Sequence, residues 1–163
     1  MKLSIELVPK TSWYNNLRDI LTSSEWEQCK KYSKQQSNGV CIICGGKGEQ
    51  WATECHEEWK YDDKTNIQSL SNILALCPKC HLVKHIGYAQ ISGKYKIAFE
   101  QFKKINEIKN NSIANDYIEG VFELWSRRSS KKWKVNISYL LEIKEIKLSK
   151  ETLEKIKDLM SKQ

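Results

Sequence analysis

Two CxxC pairs constrain this chain more than any other feature. Cys41/Cys44 in CIIC and Cys77/Cys80 in CPKC are separated by residues 45 to 76, the spacing of a four-cysteine zinc site. One pair falls in a knuckle-like turn and the other at a helix start, since Pro78 is tolerated at a first helical position. That is the arrangement of a treble-clef zinc fold. Closing four thiolates on zinc ties the two ends of such a module together with free energy that is folding free energy. The plainer alternative is a set of free buried thiols.

The chain has 163 residues, with 40% hydrophobic content. It is therefore read as one α+β domain with a modest core and helical additions. No apolar run approaches the roughly 18 residues of a membrane span, and MKLSIELVPK lacks the apolar core of a signal peptide. The expectation is a cytoplasmic protein, where paired cysteines point to metal rather than to disulfides. Four segments follow from the sequence: an N-terminal strand and helical extension (1–40), the zinc module (41–90), supporting helices and a closing strand (91–140), and a Lys-rich helical tail (141–163).

Within these segments residues 3–8 read as a short strand. A helix over 24–36 opens on a capping box of Ser24 and Glu27. WATECHEEW (51–59) reads as a strand and 61–66 as a loop, and a helix is expected from about 78 to 88. Two amphipathic helices (94–108 and 113–128) and a strand (133–140) follow, then a loosely attached helix (149–161).

If zinc takes the four cysteines, His81 and His85 are left without a role, four residues apart on one helical face. His56 is the chain's one other histidine. Histidines converging from a strand and a helix can make a second metal centre with open positions.

At this point the residues resemble the HNH nucleases, whose ββα-metal module often carries two CxxC pairs. Cys41 and Cys44, the doublet Cys55-His56, Asn72, and Cys77, Cys80 and His81 meet the motif, with His85 as a further histidine one helical turn on. LSIELVP, ECHEEWKYDD, ALCPKCHLVKHIG and FELWSRRS widen the likeness to about residues 3–139. The resemblance implies a metal-dependent endonuclease acting on DNA phosphodiester bonds. His56 would be the general base, Asn72 would orient it, and His81 with His85 would bind the catalytic metal. It also implies structural Zn²⁺ and a second divalent ion, Mg²⁺, Mn²⁺, Ni²⁺ or Zn²⁺.

Cys55 departs from the pattern, standing where these nucleases usually place Asp or His. It binds a soft metal there, or it turns away and Glu57 or Asp62 substitutes, or the module no longer cuts. A fourth reading makes it a small buried hydrophobe. Neighbours on a regular strand face opposite ways, so Cys55 and His56 share a face only across a bulge or strand end.

The net charge of +7 concentrates in residues 91–163, which carry sixteen basic and ten acidic side chains. Such a flank suits a polyanion, although a solvated Lys-rich surface explains the same letters. In SRRSSKKWK, Arg127, Arg128, Lys131, Lys132 and Trp133 are the candidates for gripping phosphates and stacking on a base. The rival to the nuclease is a zinc-stabilised protein that binds nucleic acid or a partner without cutting.

Overall fold

The computed structural model describes residues 2–161. A three-stranded sheet, in the order β1-β2-β3, divides two apolar layers. Strands β1 (Glu54–Asp62) and β2 (Ile67–Leu76) form an antiparallel hairpin, and β3 (Lys134–Asn136) joins β2 in parallel. The expected closing strand over 133–140 is thus only three residues long. Tyr139 and its successors turn into a short helix instead.

The helices are α1 (Leu17–Ile20), α2 (Ser23–Gln36), α3 (Pro78–Lys84), α4 (Ile86–Ile91), α5 (Tyr95–Asn106), α6 (Asn111–Arg128), α7 (Tyr139–Glu142) and α8 (Lys150–Ser161). One layer packs Leu74 and Leu76 of β2 against Val83, Ile86, Phe102 and Ile118 of the helices from α3 to α6. The other packs Leu70 and Ile73 against Leu17, Cys29, Leu140 and Ile156. Successive side chains leave the sheet on opposite sides, and the register shift at Glu58/Trp59, which skips Ser71, lets Leu70 and Ile73 share one face although they are three residues apart.

Residues 3–8 do not form a strand. Leu3 and Ile5 point into the first layer, as period-two alternation requires, but Glu6 hydrogen-bonds through its backbone N–H to the Lys84 carbonyl at 2.9 Å. The segment is held by a helix end rather than by a strand ladder. No described helix is long and apolar enough to cross a membrane.

The capping box of α2 uses Thr22 and Glu25, two residues earlier than expected, with the Glu25 N–H donating to Thr22 Oγ1 at 3.3 Å. Glu25 wins because its carboxylate has more to satisfy. It accepts from Thr22 N–H at 2.8 Å, Ser149 N–H at 2.7 Å and the Thr152 hydroxyl at 2.8 Å. The start of α8 is thereby fastened to the start of α2. The C-terminal helix, expected to be loosely attached, buries Thr152 and Ile156 in the second layer.

Burial opposes the charge of Glu25, but the amide of Ser149 and the groups of Thr22 and Thr152 outweigh it and hold the carboxyl at about 2, below its ordinary 4.5. A depressed carboxylate contributes stability that is present above the unfolded value and is lost as pH falls through the folded one. Glu25→Ala should therefore lower stability at neutral pH by on the order of 2 kcal/mol. Chemical denaturation of both proteins should show that difference shrinking between pH 4.5 and about 2.

Candidate metal centre

The first CxxC is a tight turn. Cys41 N–H donates to the Gly46 carbonyl at 2.9 Å, and Gly45 N–H donates to the Cys41 carbonyl at 2.8 Å. Gly45 sits at φ +70°, where a side chain would be strained, so glycine suits this position. Ile42 N–H then reaches the Ala75 carbonyl at 3.0 Å, which anchors the turn to the end of β2. Two residues further on, Cys77 caps α3 and Cys80 lies in its first turn.

The four sulfurs of Cys41, Cys44, Cys77 and Cys80 all lie within 4.8 Å of one another. Cys44 and Cys77 are 3.6 Å apart. Sulfurs at the usual zinc distance of about 2.3 Å around a tetrahedral ion stand roughly 3.8 Å apart, so the cluster can hold zinc. Gly46 N–H and Gln101 Nε2 donate to Cys44 and Cys80 sulfurs at 3.4 and 3.2 Å, as suits thiolates. A hydrogen bond from Cys80, against the opposing effect of burial, lowers the Cys41 thiol to about 4, and the same bond drives Cys80 upward. A cation binding the four sulfurs would displace the remaining thiol protons.

The three histidines form a second cluster. Their ligating nitrogens also lie within 4.8 Å of one another, and the Nε2 atoms of His81 and His85 are 3.2 Å apart. The rings meet edge to face, with centroids 5.2 Å apart for His56 and His81, 4.9 Å for His56 and His85, and 4.7 Å for His81 and His85. His56 comes from near the start of β1, and the other two come from α3 and its end. The expected single helix over 78–88 is interrupted at His85, whose ψ of 47° leaves the helical region. His85 N–H still donates to the His81 carbonyl at 3.1 Å, which keeps the two rings one turn apart.

Two acids stand behind the imidazoles. His81 Nδ1 bonds to Glu54, which also accepts from the Trp51 indole at 2.8 Å. His56 Nε2 lies in hydrogen-bond contact with a Glu6 oxygen at 3.1 Å. The other oxygen of Glu6 pairs with Lys84, a lysine only 1% exposed that also lies 3.5 Å from Glu58 and donates to Ser4 at 3.1 Å. Burial opposes charge on Glu6, yet His56 and Lys84 hold its carboxyl below the ordinary range. Burial lowers the pKa of His81, and it lowers His85 to about 3. Both are then neutral imidazoles, the form that binds metal.

Cys55 is not in this cluster. It packs on the opposite face of β1 with Cys29, Trp59 and Ile73, and burial raises its thiol to about 11. The sheet's one irregularity between β1 and β2 falls at Glu58/Trp59, beyond the doublet, so the strand alternates through Cys55 and His56 as regular geometry requires. Glu57 shares the Cys55 face, accepting from Leu17 N–H and the Trp59 indole, each at 3.2 Å. Asp62 lies at the far end of the strand and caps the turn through Lys64 N–H at 2.9 Å. Asn72, opposite Glu58 on β2, accepts from the Tyr139 hydroxyl at 3.2 Å and from Ile73 N–H at 2.9 Å, so its carbonyl oxygen does not serve His56.

The basic cluster is divided. Arg128 and Lys131 are engaged by Asp63, and Trp133, 8% exposed, donates its indole N–H to the Arg128 carbonyl. Its ring packs against Tyr61 rather than facing solvent, while Arg127 and Lys132 are exposed. Glu6 and Lys84 had no signal in the sequence beyond the alternation of LSIEL. No protein-family model matches the chain, and neither curated proteins nor solved structures give a match.

Two outcomes follow from this geometry. Cys41→Ser or Cys80→Ser should lose bound zinc and the folded module, because a structural zinc contributes on the order of 10 kcal/mol in small domains; metal analysis with circular dichroism checks both. Cys55→Asp should place a carboxylate in an apolar layer, lowering stability by several kcal/mol in denaturant titrations while leaving metal binding unaltered.

Proposed function

We propose that the chain is a metal-dependent endonuclease of the HNH type, with a ββα-metal (treble-clef) module, acting on DNA phosphodiester bonds. The observation that carries the reading is the convergence of His56, His81 and His85 beside the four-cysteine cluster. Imidazoles bound to one metal at about 2.0–2.1 Å have ring centres roughly 5 Å apart, which matches this triangle. The cluster fits a divalent ion on chemistry as well, being uncharged at His81 and His85 and backed by acids.

A divalent metal bound there supplies positive charge to the phosphoryl oxygens and the leaving oxygen. The protein's own groups do the positioning. Glu54 accepts a hydrogen bond from the Nδ1–H of His81, which leaves its Nε2 facing His85. An all-imidazole set favours Ni²⁺ or Zn²⁺ over Mg²⁺, whose preference is for oxygen. Exposed Arg127 and Lys132, with the cationic C-terminal half, supply the attraction for phosphates.

The resemblance makes His56 the general base. The triangular packing supports a place for it among the metal-holding groups, because a ring nitrogen committed to a metal cannot accept a proton from water. The two roles part experimentally. His81→Ala should abolish plasmid cleavage and histidine-site metal binding together. His56→Ala should do the same if it holds metal, and should lose cleavage alone if it is the base. Cleavage assays across Mg²⁺, Mn²⁺, Ni²⁺ and Zn²⁺, paired with calorimetric metal titration, decide this. A wild type that binds DNA but cuts it with none of these ions would instead be a zinc-stabilised binding protein.

A further inference from the structure

The N-terminal segment reaches across the fold to a histidine fifty positions away. We infer that Glu6 is a positioning residue: it holds His56 as the Nε2–H tautomer and so presents the bare Nδ1 to the other two imidazoles. The inference rests on the metal-centre reading above for its consequence, but the tautomer itself is a property of the protein with no metal at the histidines.

Lys84 is fully buried and can only donate, so the carboxylate it pairs with must accept. Glu6 supplies that oxygen and turns its second oxygen to His56 Nε2 at 3.1 Å. An ionised carboxylate has no proton to give, so the nitrogen facing it carries one. The other ring nitrogen of a neutral imidazole is then the acceptor. His56 is 4% exposed and its ring packs edge to face against both His81 and His85, which leaves it little freedom to flip.

Lys84 gives the device its direction. It pins one Glu6 oxygen, with Ser4 and Glu58 as its remaining neighbours, and so fixes which way the carboxyl plane faces. The Glu6 N–H bond to the Lys84 carbonyl, 2.9 Å, holds the two backbones in the same register. A segment that forms no strand is thereby tied to the helix carrying His81, and it orients the histidine contributed by the sheet.

The substitution that separates positioning from bulk support is Glu6→Gln. Its carbonyl oxygen should stay on Lys84, which cannot accept, and its amide NH₂ then faces His56 Nε2. That nitrogen must become the acceptor, and the proton moves to Nδ1, the nitrogen needed at the cluster. Long-range ¹H–¹⁵N correlation spectra, recorded above the ordinary imidazole range with the histidines free of metal, read the tautomer directly. Wild type should show His56 protonated at Nε2, and Glu6→Gln at Nδ1. Calorimetric titration with Ni²⁺ should show the variant weakened by about 10- to 100-fold, the usual effect of losing such a partner. Adding Lys84→Met releases the amide to rotate, so the double variant should regain the Nε2–H form and part of the affinity.

A wild-type His56 protonated at Nδ1, or a Glu6→Gln protein that keeps the wild-type tautomer, overturns the inference. If Glu6→Gln does not fold, Lys84→Met alone keeps the test open. It leaves Glu6 facing His56 and should retain the Nε2–H form, and a tautomer change there overturns the inference equally. Should wild type take up no Ni²⁺ at the histidines, the nuclease reading falls, while the spectra still decide the role of Glu6.

Discussion

Cys80 and His81 are neighbours in the first turn of one helix, so whatever fixes the four sulfurs also fixes the imidazoles. The knuckle holds β2 through Ile42, the end of β2 delivers Cys77, and the turn that follows carries Cys80 outward to sulfur and His81 across to β1. A cation closing the sulfurs would therefore stiffen the frame on which the histidines sit. Zinc modules of this size depend on such closure because their apolar contacts alone are few.

The second organising feature is a buried charge. Lys84 lies beneath the surface between two acids, and an unpaired charge in that position would cost about 3–5 kcal/mol, so Glu6 is tied to it energetically. Pairs of this kind add little net stability compared with apolar packing, because desolvation offsets most of the attraction. Their value is directional. At this centre the direction points at His56, which makes the N-terminal segment part of the site rather than a covering for the core.

Much of the local architecture was legible in the letters. The CxxC spacing, Pro78 after Cys77 and the alternation around Cys55-His56 each reflect short-range geometry that holds in almost any surroundings. Strand alternation alone separated His56 from Cys55. Where the reading drifted, a distant partner had intervened. Thr22 and Glu25 displaced Ser24 and Glu27 as the α2 cap because Glu25 also satisfies Ser149 and Thr152, more than a hundred residues on. Trp133 lost its place among exposed candidates because Tyr61 of β1 packs against it.

The letters alone place two cysteine pairs where they could close on one ion, put His81 and His85 on one helical face, and gather the positive charge toward the C-terminus. These are consequences of spacing and composition. Only the tertiary structure decided that His56 meets those two histidines, that Cys55 does not, and that Glu6 and Lys84 stand behind the site. Such contacts join residues from 25 to 78 positions apart. Local propensity carries no information about them, because they are set by how the sheet and helices pack and by the need of each buried charge for a partner.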